Sequence, residues 1–304
     1  AGLVELLDLR LQIRQAGLER YGGFSVRRVL PAAGRRTVGP FIFFDQMGPA
    51  TFAPGKGIDV RPHPHIGLAT VTYLIEGEMD HNDSLGCFQT IRPGDVNWMT
   101  AGRGIVHSER TGAEARERGF TMSGIQTWIA LPEDKEEIEP SFHHHPGSSL
   151  PEWSEGGATL RLILGTSHGR TSPVEVFSPT LYVHARMPEG SAFSVPAEHE
   201  DRAVYAATGD ITIDGEVLPV GTMAVLDPGH EPEVRALTEG HVFLCGGAPL
   251  TGTRQIFWNL VSSRPERIEQ AKRDWSASAE AGFVDSVFRL PPGESEHIPL
   301  PDGS

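Results

Sequence analysis

Cysteine is scarce: Cys87 and Cys245 are the only two in 304 residues. Two thiols cannot build a disulfide framework, and both read as reduced cytosolic side chains, with a single bridge as the open alternative. A cytoplasmic location is therefore expected. A long apolar run is also missing, since no stretch approaches the ~20 residues of a membrane-spanning helix. The opening segment AGLVELLDLRLQIR alternates charged with apolar residues and lacks the pattern of a secretory signal. Basic residues are few, 26 against 40 acidic ones, for a net charge of −14. Such a field repels a nucleic-acid backbone, and no Lys/Arg run offsets it, so direct nucleic-acid binding is not expected. A small molecule or another protein fits that charge better.

What is abundant is turn chemistry, with 35 glycines and 24 prolines. That composition fits many short strands joined by tight turns. Apolar residues at 38% and charged residues at 22% are ordinary for a globular chain and exclude extended disorder. Thr70–Glu76 is β-branched and aromatic and closes on Gly77. Ile211–Leu218 carries Asp214-Gly215 between β-formers, a strong hairpin signal. One segment reads firmly as helix, from about Arg264 to Glu280. Ser263 and Glu266 resemble a capping box there, and Ile268, Ala271 and Trp275 recur on one face. The expectation is a mostly-β chain with a short C-terminal helix.

Its length favours two domains, and an internal repeat gives them form. Tyr73-Leu74-Ile75-Glu76-Gly77 has a counterpart in Tyr205-Ala206-Ala207-Thr208-Gly209, and each copy continues to a second turn glycine, Gly94 or Gly221. Two similar barrels joined within the polar stretch Pro132–Pro151 are expected, with boundaries at 1–138 and 139–304.

His63-Pro64-His65 opens a predicted strand, and His107-Ser108-Glu109 repeats the spacing beyond a glycine-rich turn. Side chains two apart on a strand share a face, so each pair supplies two groups to one side of a sheet. On neighbouring strands all four converge. Three imidazoles and a carboxylate suit iron(II), manganese, nickel, copper or zinc and disfavour calcium or magnesium. Aligning the repeats puts Val195 and Ala197 at the positions of His63 and His65, and Val234 and Ala236 at those of His107 and Glu109. His199 stands alone and reads as structural or surface. The second barrel is expected to hold no metal, which leaves one metal per chain.

At these residues the chain resembles the pirin family of the cupin superfamily. The matching stretches are Gly39-Pro40-Phe41-Ile42-Phe43-Phe44-Asp45, His63-Pro64-His65-Ile66-Gly67, Tyr73–Gly77, Pro93-Gly94-Asp95, Trp98–Glu109 and Gln126-Thr127-Trp128. The C-terminal half resembles the family more loosely. The resemblance implies an all-β bicupin fold, two jelly-roll-like barrels, with one divalent metal in the first. The implied ligands are His63, His65, His107 and Glu109. Iron(II) is the leading metal, with nickel, manganese, copper or zinc as alternatives. It further implies a dioxygenase of the quercetin 2,3-dioxygenase type acting on a phenolic substrate, with Glu109 as the proton acceptor. The alternative implied by the same family is a metal-bearing redox sensor or co-regulator that binds a protein partner without turnover. One departure stands out: many cupins carry a glutamate four residues after the second histidine, where this chain has Ala69.

Other residues carry two readings. Arg103, between two glycines, either orients a carboxylate or oxyanion at the site or pairs with a surface acid. Met99, Gln126 and Trp128 are pocket-lining candidates, although Trp and Met on strands are more often core. Asp45 and Gln46 approach the pocket only by the resemblance. His143-His144-His145 reads as an exposed loop, and Glu133–Glu139 as a solvated charge run.

Overall fold

The computed structural model describes residues 12–13, 18–21 and 24–301. The first eleven residues, where no secretory signal was read, lie outside them. Two compact units emerge. One comprises Leu18–Arg27, Ile42–Ser149 and the chain from Leu250 onward; the other comprises Arg28–Phe41 and Leu150–Pro249, joined by the Gln12–Ile13 strand. Each unit thus draws on several stretches of chain rather than on one consecutive half. In particular, Leu250 onward, counted with the second half from sequence, packs in the unit that carries the paired histidines.

The barrel of that unit is built from two sheets, with the two-stranded hairpin Gln255–Phe257 and Leu260–Ser262 beside them. The larger runs in the order Ser141–His145, Val96–Thr100, Leu68–Glu76, Phe120–Ala130, Phe41–Phe52, Phe24–Leu30, Leu18–Tyr21. The smaller runs Asp59–His65, Ile105–Arg110, Met79–Asp83, Phe88–Ile91, with all three pairings antiparallel. Burial on one face explains the alternation of these strands: Met79, His81 and Asp83 are buried while Asp80 and Asn82 are partly open. Between the sheets lies an apolar cluster that includes Phe43, Met99, Ile105, Trp128 and Val261.

The second unit repeats this order. Its smaller sheet runs Ala192–Ser194, Glu233–Ala236, Ile211–Ile213, Glu216–Leu218. In the larger sheet, Tyr205 stands opposite Met223 as Tyr73 stands opposite Val96, and the amides of Gly221 and Gly94 bond the carbonyls of Ala206 and Leu74. The glycine alignment read from sequence is therefore the structural one. The histidine alignment is not. His63 faces His107, whereas Val234 faces Phe193, so Phe193 and Val195 occupy the places of His63 and His65. The chain from Val195 to Tyr205 is two residues longer than that from His65 to Tyr73, which produces the offset. The conclusion about chemistry is unaffected, because Phe193, Val195, Val234 and Ala236 all lie in one apolar core.

Local signals fared unevenly. Asp214 and Gly215 both take positive φ, as a two-residue hairpin turn of that hand demands. The helix spans Pro265–Glu280 and buries Ile268, Ala271 and Trp275, but it begins on Pro265 without a side-chain cap. Ser263 instead gives its hydroxyl to Glu136 Oε2 at 3.0 Å. Glu136, read as part of a solvated run, is 1% exposed and lies 2.9 Å from the buried Arg254 Nε. The three consecutive histidines form not a loop but the edge strand Ser141–His145, paired with Val96–Thr100. No helix among the described residues is long and apolar enough to cross a membrane.

Candidate metal centre

Antiparallel register brings the two sequence pairs together. His63 and His107 stand directly opposite, His65 stands opposite Ile105, and a bulge between His107 and Glu109 sets Glu109 against Val60. Gly67 turns the chain back into the Leu68–Glu76 strand at φ +70°, where any Cβ would run into the Val261 carbonyl oxygen.

One nitrogen of each of His63, His65 and His107 lies within 4.8 Å of the other two, and all three residues are buried. Nε2 of His65 and Nε2 of His107 are 3.1 Å apart. The Nδ1–H of His63 donates to the Arg61 carbonyl at 2.9 Å, which leaves its Nε2 as a lone-pair donor. Burial pushes His63 down to about 4, against the opposing effect of the Arg61 carbonyl. It lowers His65 and His107 well below the ordinary histidine range, and the neighbouring rings add to the effect. Three neutral imidazoles are thus converged in a dry place, the protonation state in which imidazole binds a metal. The donor set fits a borderline transition metal.

Glu109 lies outside that 4.8 Å group. Its Oε1 accepts a 2.7 Å hydrogen bond from Gln126 Nε2, and burial raises its carboxyl above the ordinary range while that bond opposes the rise. Of the pocket candidates, Trp128 meets His65 edge-on at 5.3 Å and stacks on Phe43 at 4.1 Å, with Met99 in the same apolar cluster. Arg103 takes its second reading: its guanidinium pairs with Glu139 at 2.9 Å on the exposed surface. Asp45 and Gln46 are buried. His199 bonds to Thr166 in the other unit, a structural role.

Three neighbours of the site escaped the sequence reading. His81 lies across from Glu109 and Asp83 across from His107 on the Met79–Asp83 strand. His81-x-Asp83 has the same i, i+2 spacing as His63-x-His65 and His107-x-Glu109, so a signal was present but unread. Asn259, whose carbonyl approaches His65 closely enough to favour its charged form, had none, because only packing of the Gln255–Ser262 hairpin brings it there.

Comparison with known proteins agrees with this geometry. The pirin family model matches residues 23–129, and the model for the pirin C-terminal cupin domain matches residues 182–280. A pirin-like protein of Caulobacter vibrioides is 48% identical over 98% of this chain and 100% of its own length. Human pirin is 32% identical over 86% of this chain and 89% of its own. A crystal structure of quercetin 2,3-dioxygenase from Acinetobacter baumannii superposes with a TM-score of 0.86 at 34% identity, covering 97% of this chain and 95% of that one. Two repeated barrels, three converged histidines in one of them and these relatives together show that the chain is an all-β bicupin and belongs to the pirin family.

Proposed function

We propose that the protein is a metal-dependent dioxygenase of the quercetin 2,3-dioxygenase type. The observation that carries this reading is the set of three buried neutral imidazoles on a fold 34% identical to a quercetin 2,3-dioxygenase of Acinetobacter baumannii. His63, His65 and His107 hold the ion, with Glu109 as the fourth ligand from the same strand face, and iron(II) is the metal we assign. Bound there, a redox-active divalent metal supplies Lewis-acid polarisation of a substrate oxygen and access to dioxygen.

The chain's own groups do the rest. Trp128, Phe43 and Met99 offer an apolar wall beside His65, suited to the ring system of a phenol or flavonol. Glu109 would take the proton of the substrate hydroxyl when it loosens from the ion: burial then makes it a stronger base than an exposed carboxylate, and Gln126 holds it in place. Ala69 is buried and apolar, so that position supplies no second carboxylate.

Reduced, iron-loaded protein should consume oxygen with quercetin and release carbon monoxide one to one as the yellow absorbance bleaches. Glu109→Gln should lower turnover by roughly 10²–10⁴-fold, the range for losing a general base, and lower bound metal far less. Unchanged turnover in that variant rejects the proton-transfer role. Metal-loaded protein that takes up no oxygen with any phenol leaves the family's other reading, a non-catalytic metal-bearing regulator.

A further inference from the structure

The buried pair His81 and Asp83 has no part in the ligand set, yet it occupies the same sheet face. Asp83 is fully buried, and its Oδ1 accepts the backbone N–H groups of Leu85 at 2.8 Å and Cys87 at 3.1 Å. Oδ2 lies 2.9 Å from His81 Nε2. A carboxylate held by two amides only accepts, so His81 must donate its Nε2–H there. In the neutral ring that leaves Nδ1 of His81 as an acceptor, and it sits 3.4 Å from His107 Nδ1. His107 in turn must carry its proton on Nδ1, which frees Nε2 on the side facing His65. Phe142 stacks on the His81 ring at 4.2 Å and 12°, so the ring cannot swing away without losing that contact.

We infer that Asp83 and His81 are positioning residues: they set the tautomer and the ring orientation of His107 and so prepare its Nε2 to bind the metal. This rests on reading His107 as a ligand. The opposite proton arrangement, with hydrogen on His107 Nε2, fills the space between the rings and blocks the site. Such outer partners of a metal-bound imidazole fix its tautomer and raise its basicity.

The second barrel provides an independent argument. Val234 there takes the place of His107, and the residues across from Ala236 and Val234 are Ile211 and Ile213, in the places of His81 and Asp83. Where the ligands are replaced by apolar side chains, the buried dyad is replaced with them. If His81 and Asp83 served packing or strand pairing, nothing would tie their presence to the barrel that keeps its histidines.

Nickel(II) affinity of the full chain, measured by competition with a chromophoric chelator, tests the inference, with melting of the metal-free proteins as a check on folding. His81→Phe keeps the stacking ring but no acceptor, and Asp83→Asn offers His81 a donor in place of an acceptor. Both should weaken nickel binding about 10–100-fold. His81→Asn, whose Oδ1 replaces Nδ1 as acceptor, should recover most of that loss. Folded His81→Phe protein with the parent affinity overturns the inference, as does His81→Asn protein as weak as His81→Phe. His107→Ala separates the two levels. If it retains nickel, the ligand reading fails; if it loses nickel while His81→Phe does not, only the positioning role fails. Nitrogen-15 spectra of the zinc-loaded parent, independent of any variant's folding, should show protons on His81 Nε2 and His107 Nδ1, and a His81 proton on Nδ1 overturns the assignment.

Discussion

His107 stands directly across from His63 in the antiparallel register, and their ring centroids are 4.4 Å apart. Burial disfavours a proton on either ring, so both are available to share one ion. His107→Ala should therefore abolish most metal binding. Metal analysis of clean protein should give about one metal per chain in the parent and far less in the variant. Two per chain in the parent would sink the one-site account, since the second barrel is apolar at every corresponding position.

Acid should destabilise the metal-free protein through these same rings. Folding lowers His63 from 6.5 to about 4, so below pH 6.5 the unfolded chain binds more protons than the folded one. The contribution is present in full above about 6.5 and is lost as pH falls toward 4. For His63 alone the shift corresponds to about 3 kcal/mol, and His65 and His107 act in the same direction. Urea midpoints of metal-free protein should fall steeply across that window. In His63→Phe protein the slope should be visibly shallower, and an unchanged slope would contradict the assignment.

Glu136 and Arg254 supply a stability test away from the metal. Arg254 is buried, and its guanidinium also donates to the Leu131 carbonyl at 2.9 Å. Glu136→Ala leaves that charge only the exposed Glu133 carboxylate, 3.5 Å from Nη1, and should cost about 3 kcal/mol, read from urea unfolding. A cost under about 1 kcal/mol would show that the pair relaxes into solvent.

Arg103 and His199 should be neutral for the metal. Arg103 spends its guanidinium on Glu139 at the surface, and His199 bonds to Thr166 in the other unit. Arg103→Ala and His199→Gln should each leave metal content within about twofold and stability within about 0.5 kcal/mol. Loss of metal in either folded variant would mean that the residue reaches the site.

Much of the site was legible because strand geometry is local. The i, i+2 spacing of His63 with His65, and of His107 with Glu109, puts each pair on one face whatever the rest of the chain does. The repeat of Tyr73 in Tyr205 and of Gly94 in Gly221 likewise foretold two similar units, since a turn glycine and the strand before it form a short-range object. What spacing leaves open is which strands become neighbours, and whether a charged residue is solvated. Cross-strand register decided that Phe193, not Ala197, belongs with the His63–His65 pair, because a longer connection shifts the pairing while local spacing stays silent. Packing buried Glu136 beside Arg254, 118 residues away along the chain. It also set Arg103 apart from the histidines, although His107 follows it by four residues. The residue types and their two-residue period were thus determined by the sequence itself. The convergence of three rings, the anchoring of Glu109 by Gln126 and the backing of His107 by His81 and Asp83 depended on strands distant in the chain meeting in one sheet and across a barrel.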